Sequence, residues 1–314
     1  MLFTDIFNEA INIEPYRAEI HDMVPVIMTN VLSLIKKNKI DLTKESLASF
    51  ISEQFTDKFK VIYDKVIDAY PLEVKNDGEI LELLKHQYIF KACSKKEVTN
   101  DYNNLGGSSS ARGFLTCDDH NLYCEISLPD ELYSPLFWKV AINNEMVFKQ
   151  NVDKCSLEIS KLFIHEIQHH IQASNMGYKW FITNTNKNRS DIQDVEISYY
   201  LNPQEIDAFA AETATQIISY IEQNKFSIDT AKHLLSSTAG QKKLCALKML
   251  SFYKSFYDLY KNTSNKDKKV YHVFLKKIMY HLNNYETKKI VPPKQNTNYL
   301  SSIVTKIKSL FNKE

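Results

Sequence analysis

The chain has 314 residues, a net charge of +1, 44% hydrophobic residues and 25% charged residues. Those values suit one large or two small domains with a full core, and they exclude a global electrostatic case for binding nucleic acid or an anionic membrane. Five scattered cysteines without a C-x-x-C pair point to a reduced, intracellular setting.

The opening residues Met1 to Asp5 have neither a basic stretch nor a long apolar one, so no signal peptide is expected. No window approaches the length of a membrane span. Pro15-Tyr16 opens a helix carrying Ile20, Met23, Val24, Ile27, Val31, Leu32 and Ile35 at helical spacing. Asp41-Leu42-Thr43 starts another, with Leu47, Phe50, Ile51 and Phe55, and Phe59 to Ile67 reads as a strand or a third helix. Residues 78–93 are expected to form a further helix. His21 and His86 read as ordinary structural histidines, since nothing nearby completes a site.

Glu97 to Ser110 is polar and ends in Gly106-Gly107-Ser108-Ser109-Ser110, a loop signal. Residues 112–128 read as a β-hairpin with Leu122, Cys124, Ile126 and Leu128 on one face. Cys117, Asp119, His120 and Cys124 have metal-binding types, but an Asp- and Asn-rich hairpin turn explains them without an ion. Val140 to Val152 is expected to add a strand.

The chemistry begins at His165-Glu166-Ile167-Gln168-His169. Positions i and i+4 share one helix face, so two imidazoles can converge on one metal, and Glu166 stands beside them to handle a water. In a chain with nine histidines among 314 residues this pattern arises by chance about one or two times in a hundred. Its context therefore matters. Asp153, Ser156 and Glu158 supply start signals, Leu157, Ile164, Ile167 and Ile171 recur at helical spacing, and Gly177 lies past the expected end. A hydrolytic zinc site needs a third protein ligand and one open position. Gln172 and Asn175 stand where a metzincin extension requires Gly and His, so that class is excluded.

The alternative is a Glu on a second helix. After a polar stretch including Asn184 to Asp194 comes Asn202-Pro203-Gln204-Glu205-Ile206-Asp207-Ala208-Phe209-Ala210-Ala211-Glu212. Asn202 is a good cap, Pro203 suits the first helical position, and the alanines at 208, 210, 211 and 214 let a neighbouring helix approach closely. Glu205 falls in the first turn, 36 positions after His169 (205 − 169).

Together the two motifs resemble the zincin-type zinc metallopeptidases with a glutamate third ligand, and more narrowly small predicted peptidases common in bacteriophage genomes. The likeness covers roughly residues 110–220, about a third of the chain. It implies His165, His169 and Glu205 as metal ligands and Glu166 as general base, with Glu212 the fallback ligand and Asp207 orienting a histidine. It also implies a protein or peptide substrate, and a sheet edge at the hairpin on which that substrate pairs. Tyr200, with Tyr199 beside it, is a candidate for stabilising an oxyanion. Trp180 and Phe181 are expected to pack.

Residues 227–285 read as helices with a broad apolar stripe from Ala246 to Tyr260, and His233, His272 and His281 lack partners in sequence. Val291 to Asn298 reads as a linker. Leu300, Ile303, Val304, Ile307, Leu310 and Phe311 then form an apolar face flanked by lysines, suited to packing on its own domain or to docking on a membrane surface or partner.

The expected fold is α+β and mainly helical. It comprises an N-terminal helical region (1–95), a zincin-like core with a small sheet beside the motif helix (96–225), a C-terminal helical region (226–290) and a tail (291–314). The expected function is zinc-dependent peptide hydrolysis. A catalytically idle zincin-fold protein and a helical interaction protein with a chance motif are the other classes. Zinc follows from ligand type, and the same donors accept other first-row divalent ions.

Overall fold

The computed structural model describes residues 13–71, 74–76, 79–81, 88–94, 113–117, 122–176, 203–247, 250–262 and 265–290. The fold is α+β and mainly helical. Tyr199, Tyr200, Trp180, Phe181, His86, Asp119, His120, the Gly106–Ser110 loop and the tail lie outside the described residues.

Helix α1 (Glu14–Lys36) and helix α2 (Lys44–Ala69) follow the sequence pattern. Thr43 caps α2 by accepting the Ser46 N–H at 3.2 Å. Leu47, Ile51, Phe55, Phe59, Ile62, Tyr63 and Val66 make one buried stripe, so Phe59 to Ile67 is neither a strand nor a separate helix but the second half of α2. Contrary to expectation, α1 does reach the length and apolarity of a membrane span, with mean hydropathy 1.2 over a window 44% buried within the fold.

The described parts of the span 78–93, where a helix is expected, are strands instead, so the described N-terminal region is not all helical. Strands β1 (Val74–Asn76) and β2 (Glu79–Leu81) make a small antiparallel ladder. Strand β3 (Tyr88–Ser94) joins a three-stranded sheet with β4 (Gly113–Cys117) and β5 (Leu122–Leu128), in the order β3-β5-β4. The hairpin forms as expected, with Gly113 opposite Ile126 and Cys117 opposite Leu122. Strand β3 runs parallel to β5, Phe90 opposite Cys124. Burying Phe90, Ala92 and Cys93 against this distant partner outweighs the local helical pattern. Thr56 on α2 covers the outer edge of β3: its hydroxyl accepts the Ala92 N–H at 2.9 Å and donates to the Ala92 carbonyl at 3.4 Å. The other edge is β4, which runs alongside the motif helix.

No strand forms over Val140 to Val152. A 3-10 turn (Asp130–Tyr133) leads into α3 (Pro135–Asn143), capped by Ser134. The motif helix α4 (Glu145–Met176) then starts eight residues earlier than Asp153 suggests (153 − 145), because the Asn144 side chain accepts the Val147 N–H at 3.0 Å. The remaining helices are α5 (Pro203–Asn224), α6 (Ile228–Ser236), α7 (Thr238–Cys245), α8 (Ser251–Asn262) and α9 (Asn265–Ile290).

Two apolar cores result. The first gathers α1, α2, the sheet, α3 and α4, while the second gathers α5 to α9, including the Ala246–Tyr260 stripe members Tyr253, Phe256 and Tyr257. Ala208, Ala210, Ala211 and Ala214 are buried, and α5 lies close against α4. The seam between the cores is the α4–α5 contact.

Two buried histidines make this packing pH-sensitive. His170 on α4 accepts from the Tyr63 hydroxyl at 2.8 Å and donates to the Tyr70 carbonyl at 2.9 Å. Burial pushes its pKa down to about 4, and burial does the same for His281, also to about 4. Each binds its proton more weakly folded than unfolded. The stability they confer is therefore full above an unfolded pKa of about 6.5 and is lost as pH falls through the folded value. From pH 7 to 5 each should cost about 2 kcal/mol. Urea unfolding of His281→Phe should show a pH dependence flatter by that amount; an unchanged dependence would refute the assignment.

Candidate metal centre

The two helices forming the seam bring His165, His169 and Glu205 together. His165 Nε2 and His169 Nε2 lie 3.0 Å apart. Glu205 Oε2 lies 3.4 Å from the first and 3.5 Å from the second. Ligands at about 2.0–2.1 Å from a tetrahedral ion are separated by roughly 3.3–3.4 Å, so the three atoms have the spacing of three such ligands. This cluster can hold a metal ion. The fit is also chemical. Glu205 Oε2 is buried and makes no hydrogen bond of ordinary geometry, although it faces two ring nitrogens. All four motif side chains are shielded: His165 is 6% exposed, Glu166 3%, His169 7% and Glu205 3%.

Each outer nitrogen faces an oxygen. His165 Nδ1 lies 3.5 Å from Glu212 Oε2, and His169 Nδ1 lies 3.2 Å from Gln172 Oε1. A bound metal would displace a proton from Nε2, and both acceptors favour keeping the N–H on Nδ1, so that each Nε2 lone pair could then face the common point. Glu212, the fallback ligand of the sequence reading, faces the outer nitrogen of His165 and lies outside the converging group, and its other oxygen faces Lys161 Nζ at 3.8 Å. Asp207 does not orient a histidine of the motif: it accepts from Gln168 Nε2 at 2.7 Å. The signal for Glu212 was present in the sequence, since position i+7 from Glu205 returns to the same helix face. Sequence reasoning gave Gln172 and Lys161 no role at the site. Gln172 was visible as the residue one turn beyond His169.

Charge sets the protonation. Burial opposes a charged His165, but the carboxylates of Glu205 and Glu212 outweigh it and hold the imidazole protonated up to about 10. Burial likewise opposes a charged Glu205, and His169 and His165 pull its pKa down despite it. Glu166 goes the other way. Burial lifts its carboxyl above the usual range, against the pull of His165 and His169. Of the two buried His–Glu groups, one is therefore a pre-formed ion pair and the other a carboxyl of raised basicity.

The cavities of the second core lie elsewhere. One of about 160 Å³ is lined by apolar groups including Ile217, Phe226 and Leu244, and contains none of these site residues. No family model, curated protein or solved structure matches this chain.

Proposed function

We propose that the protein is a zinc-dependent peptidase. The observation that carries this reading is the convergence of His165 Nε2, His169 Nε2 and Glu205 Oε2 from two helices, with an acceptor facing each outer ring nitrogen. A chance motif gives no reason for Glu205 and Glu212 to meet both ends of the same imidazole. The resemblance to zincin-type metallopeptidases, including small peptidases of bacteriophage genomes, points the same way. What that resemblance implies, a second helix bringing a Glu to the motif helix and a small sheet beside it, is compatible with α5 and with β4 next to α4.

Bound zinc supplies an acidified water, with pKa near about 7, and positive charge for a developing oxyanion. The protein's own groups do the rest. Glu166, with its raised basicity, accepts the proton of the attacking water and delivers it to the leaving amine. Glu212 and Gln172 keep both rings aimed, and Lys161 balances the Glu212 charge. Tyr200 is assigned to the oxyanion. An extended peptide pairs with β4, the sheet edge next to α4, while Thr56 occupies the opposite edge. The free cysteines Cys93, Cys124, Cys155 and Cys245 support an intracellular setting.

A second reading is a metal-holding protein without turnover. The burial of all three donors favours it, because structural sites are closed whereas catalytic ones keep a position open. Elemental mass spectrometry of the purified protein tests what both readings share. About one zinc per chain is expected, lost in His165→Ala and His169→Ala. A wild-type protein without stoichiometric metal would overturn both.

A further inference from the structure

A second polar network lies beside the metal centre and takes no part in the chemistry above. Gln168 stands on α4 between the two histidines, and its Nε2 donates to Asp207 Oδ2 at 2.7 Å. The other oxygen, Asp207 Oδ1, meets Lys277 Nζ of α9 at 3.2 Å. Asp207 is 6% exposed and Lys277 7%. Removing two charges from water costs several kcal/mol per ion, and apolar side chains often replace such a pair without loss of stability. The network is thus expensive if all it does is hold helices together.

Its placement suggests what else it does. Glu205 and Asp207 are two residues apart, about 200° around α5. Apolar packing against both cores fixes the roll of α5 less specifically than directed polar contacts do, and a small roll would swing Oε2 away from the two rings. Gln168 and Lys277 grip α5 on a different flank. One grip comes from the helix that carries the histidines, the other from the second core.

We propose that Gln168, Asp207 and Lys277 are positioning residues that fix the roll of α5 against α4 and so set Glu205 Oε2 opposite both histidines. Lys277 anchors the Asp207 carboxylate, and that carboxylate clamps Gln168. This rests on the metal reading above.

The test is titration of Co²⁺ into the full-length protein, followed by its visible absorption, which reports affinity and coordination together. Wild type is compared with Gln168→Leu, Lys277→Met and the double variant Asp207→Asn/Lys277→Met. Gln168→Leu and Lys277→Met are expected to weaken Co²⁺ binding about 10–100-fold and to alter the absorption bands, the usual scale for partners of metal ligands. The double variant removes both charges of the Asp207–Lys277 pair and keeps an acceptor for Gln168 but loses the grip from α9, so it should recover only part of the affinity that Lys277→Met loses. It also supplies the background for Gln168→Leu if Lys277→Met alone does not fold. Folded variants that bind Co²⁺ with wild-type affinity and spectrum would overturn the proposal while leaving the metal centre intact. A wild-type protein that takes up no Co²⁺ would instead overturn the metal reading itself.

Discussion

Glu166→Gln is expected to lower turnover by roughly 10²–10⁴-fold, the usual contribution of a positioned general base, while zinc content stays at the wild-type level. The amide matches the carboxylate in size, so the buried position stays filled. It cannot accept a proton at neutral pH. Glu166 supplies none of the three converging atoms, so the donor set is untouched. The raised basicity of Glu166 comes first from burial, which a nearby positive charge offsets, so the carboxylate remains the better base only while water is excluded. Hydrolysis of a quenched fluorescent peptide library, with metal content measured in parallel, checks this. Equal turnover in both proteins would remove Glu166 from the mechanism. Absent turnover in a zinc-loaded wild type would favour the catalytically idle reading.

Phe163→Ala is expected to cost about 3–5 kcal/mol of stability, read as a lower urea midpoint. Phe163 is fully buried on α4, two residues before His165. Its ring centroid lies 5.1 Å from that of Phe59, 5.2 Å from Phe90 and 6.0 Å from Tyr63. Those three rings come from α2 and β3, so one side chain ties the motif helix to two other elements. Truncation removes apolar area and leaves a cavity that rigid aromatic neighbours cannot easily fill. Below its unfolding transition the variant should still bind one metal, since the Phe163 ring packs against α2 and β3 while the donors lie on the α4–α5 seam. A loss below about 1 kcal/mol would mean that the cluster collapses around the gap.

Where burial and capping are local, the sequence was readable. The stripes of α1 and α2, the Thr43 cap, the β4–β5 hairpin and Pro203 at the start of α5 all follow from spacing and turn chemistry. The His165–His169 pair was legible from i,i+4 spacing, whereas Glu205 as third member rested on the resemblance, with Glu212 left open beside it. Misreadings arose where a distant partner decides. Tyr88 pairs with Leu122, 34 positions away (122 − 88), and nothing within 78–93 announces it. The missed α3 and early α4 are a different case. Ser134-Pro135 and Asn144-Glu145 are ordinary helix start signals within the sequence, and both side chains accept the capping N–H in the structure. Asp207 was misassigned because its proximity to Glu205 in sequence hides its different direction around the helix.

The Thr56 contacts on Ala92 leave the sheet extensible on one side only among the described residues. Two copies meeting edge to edge through β4 would each use the edge of the three-stranded sheet that Thr56 does not occupy, and so would close into a two-fold pair through that sheet. Any such pair would also cover the strand beside α4, so self-pairing and peptide pairing there would exclude each other.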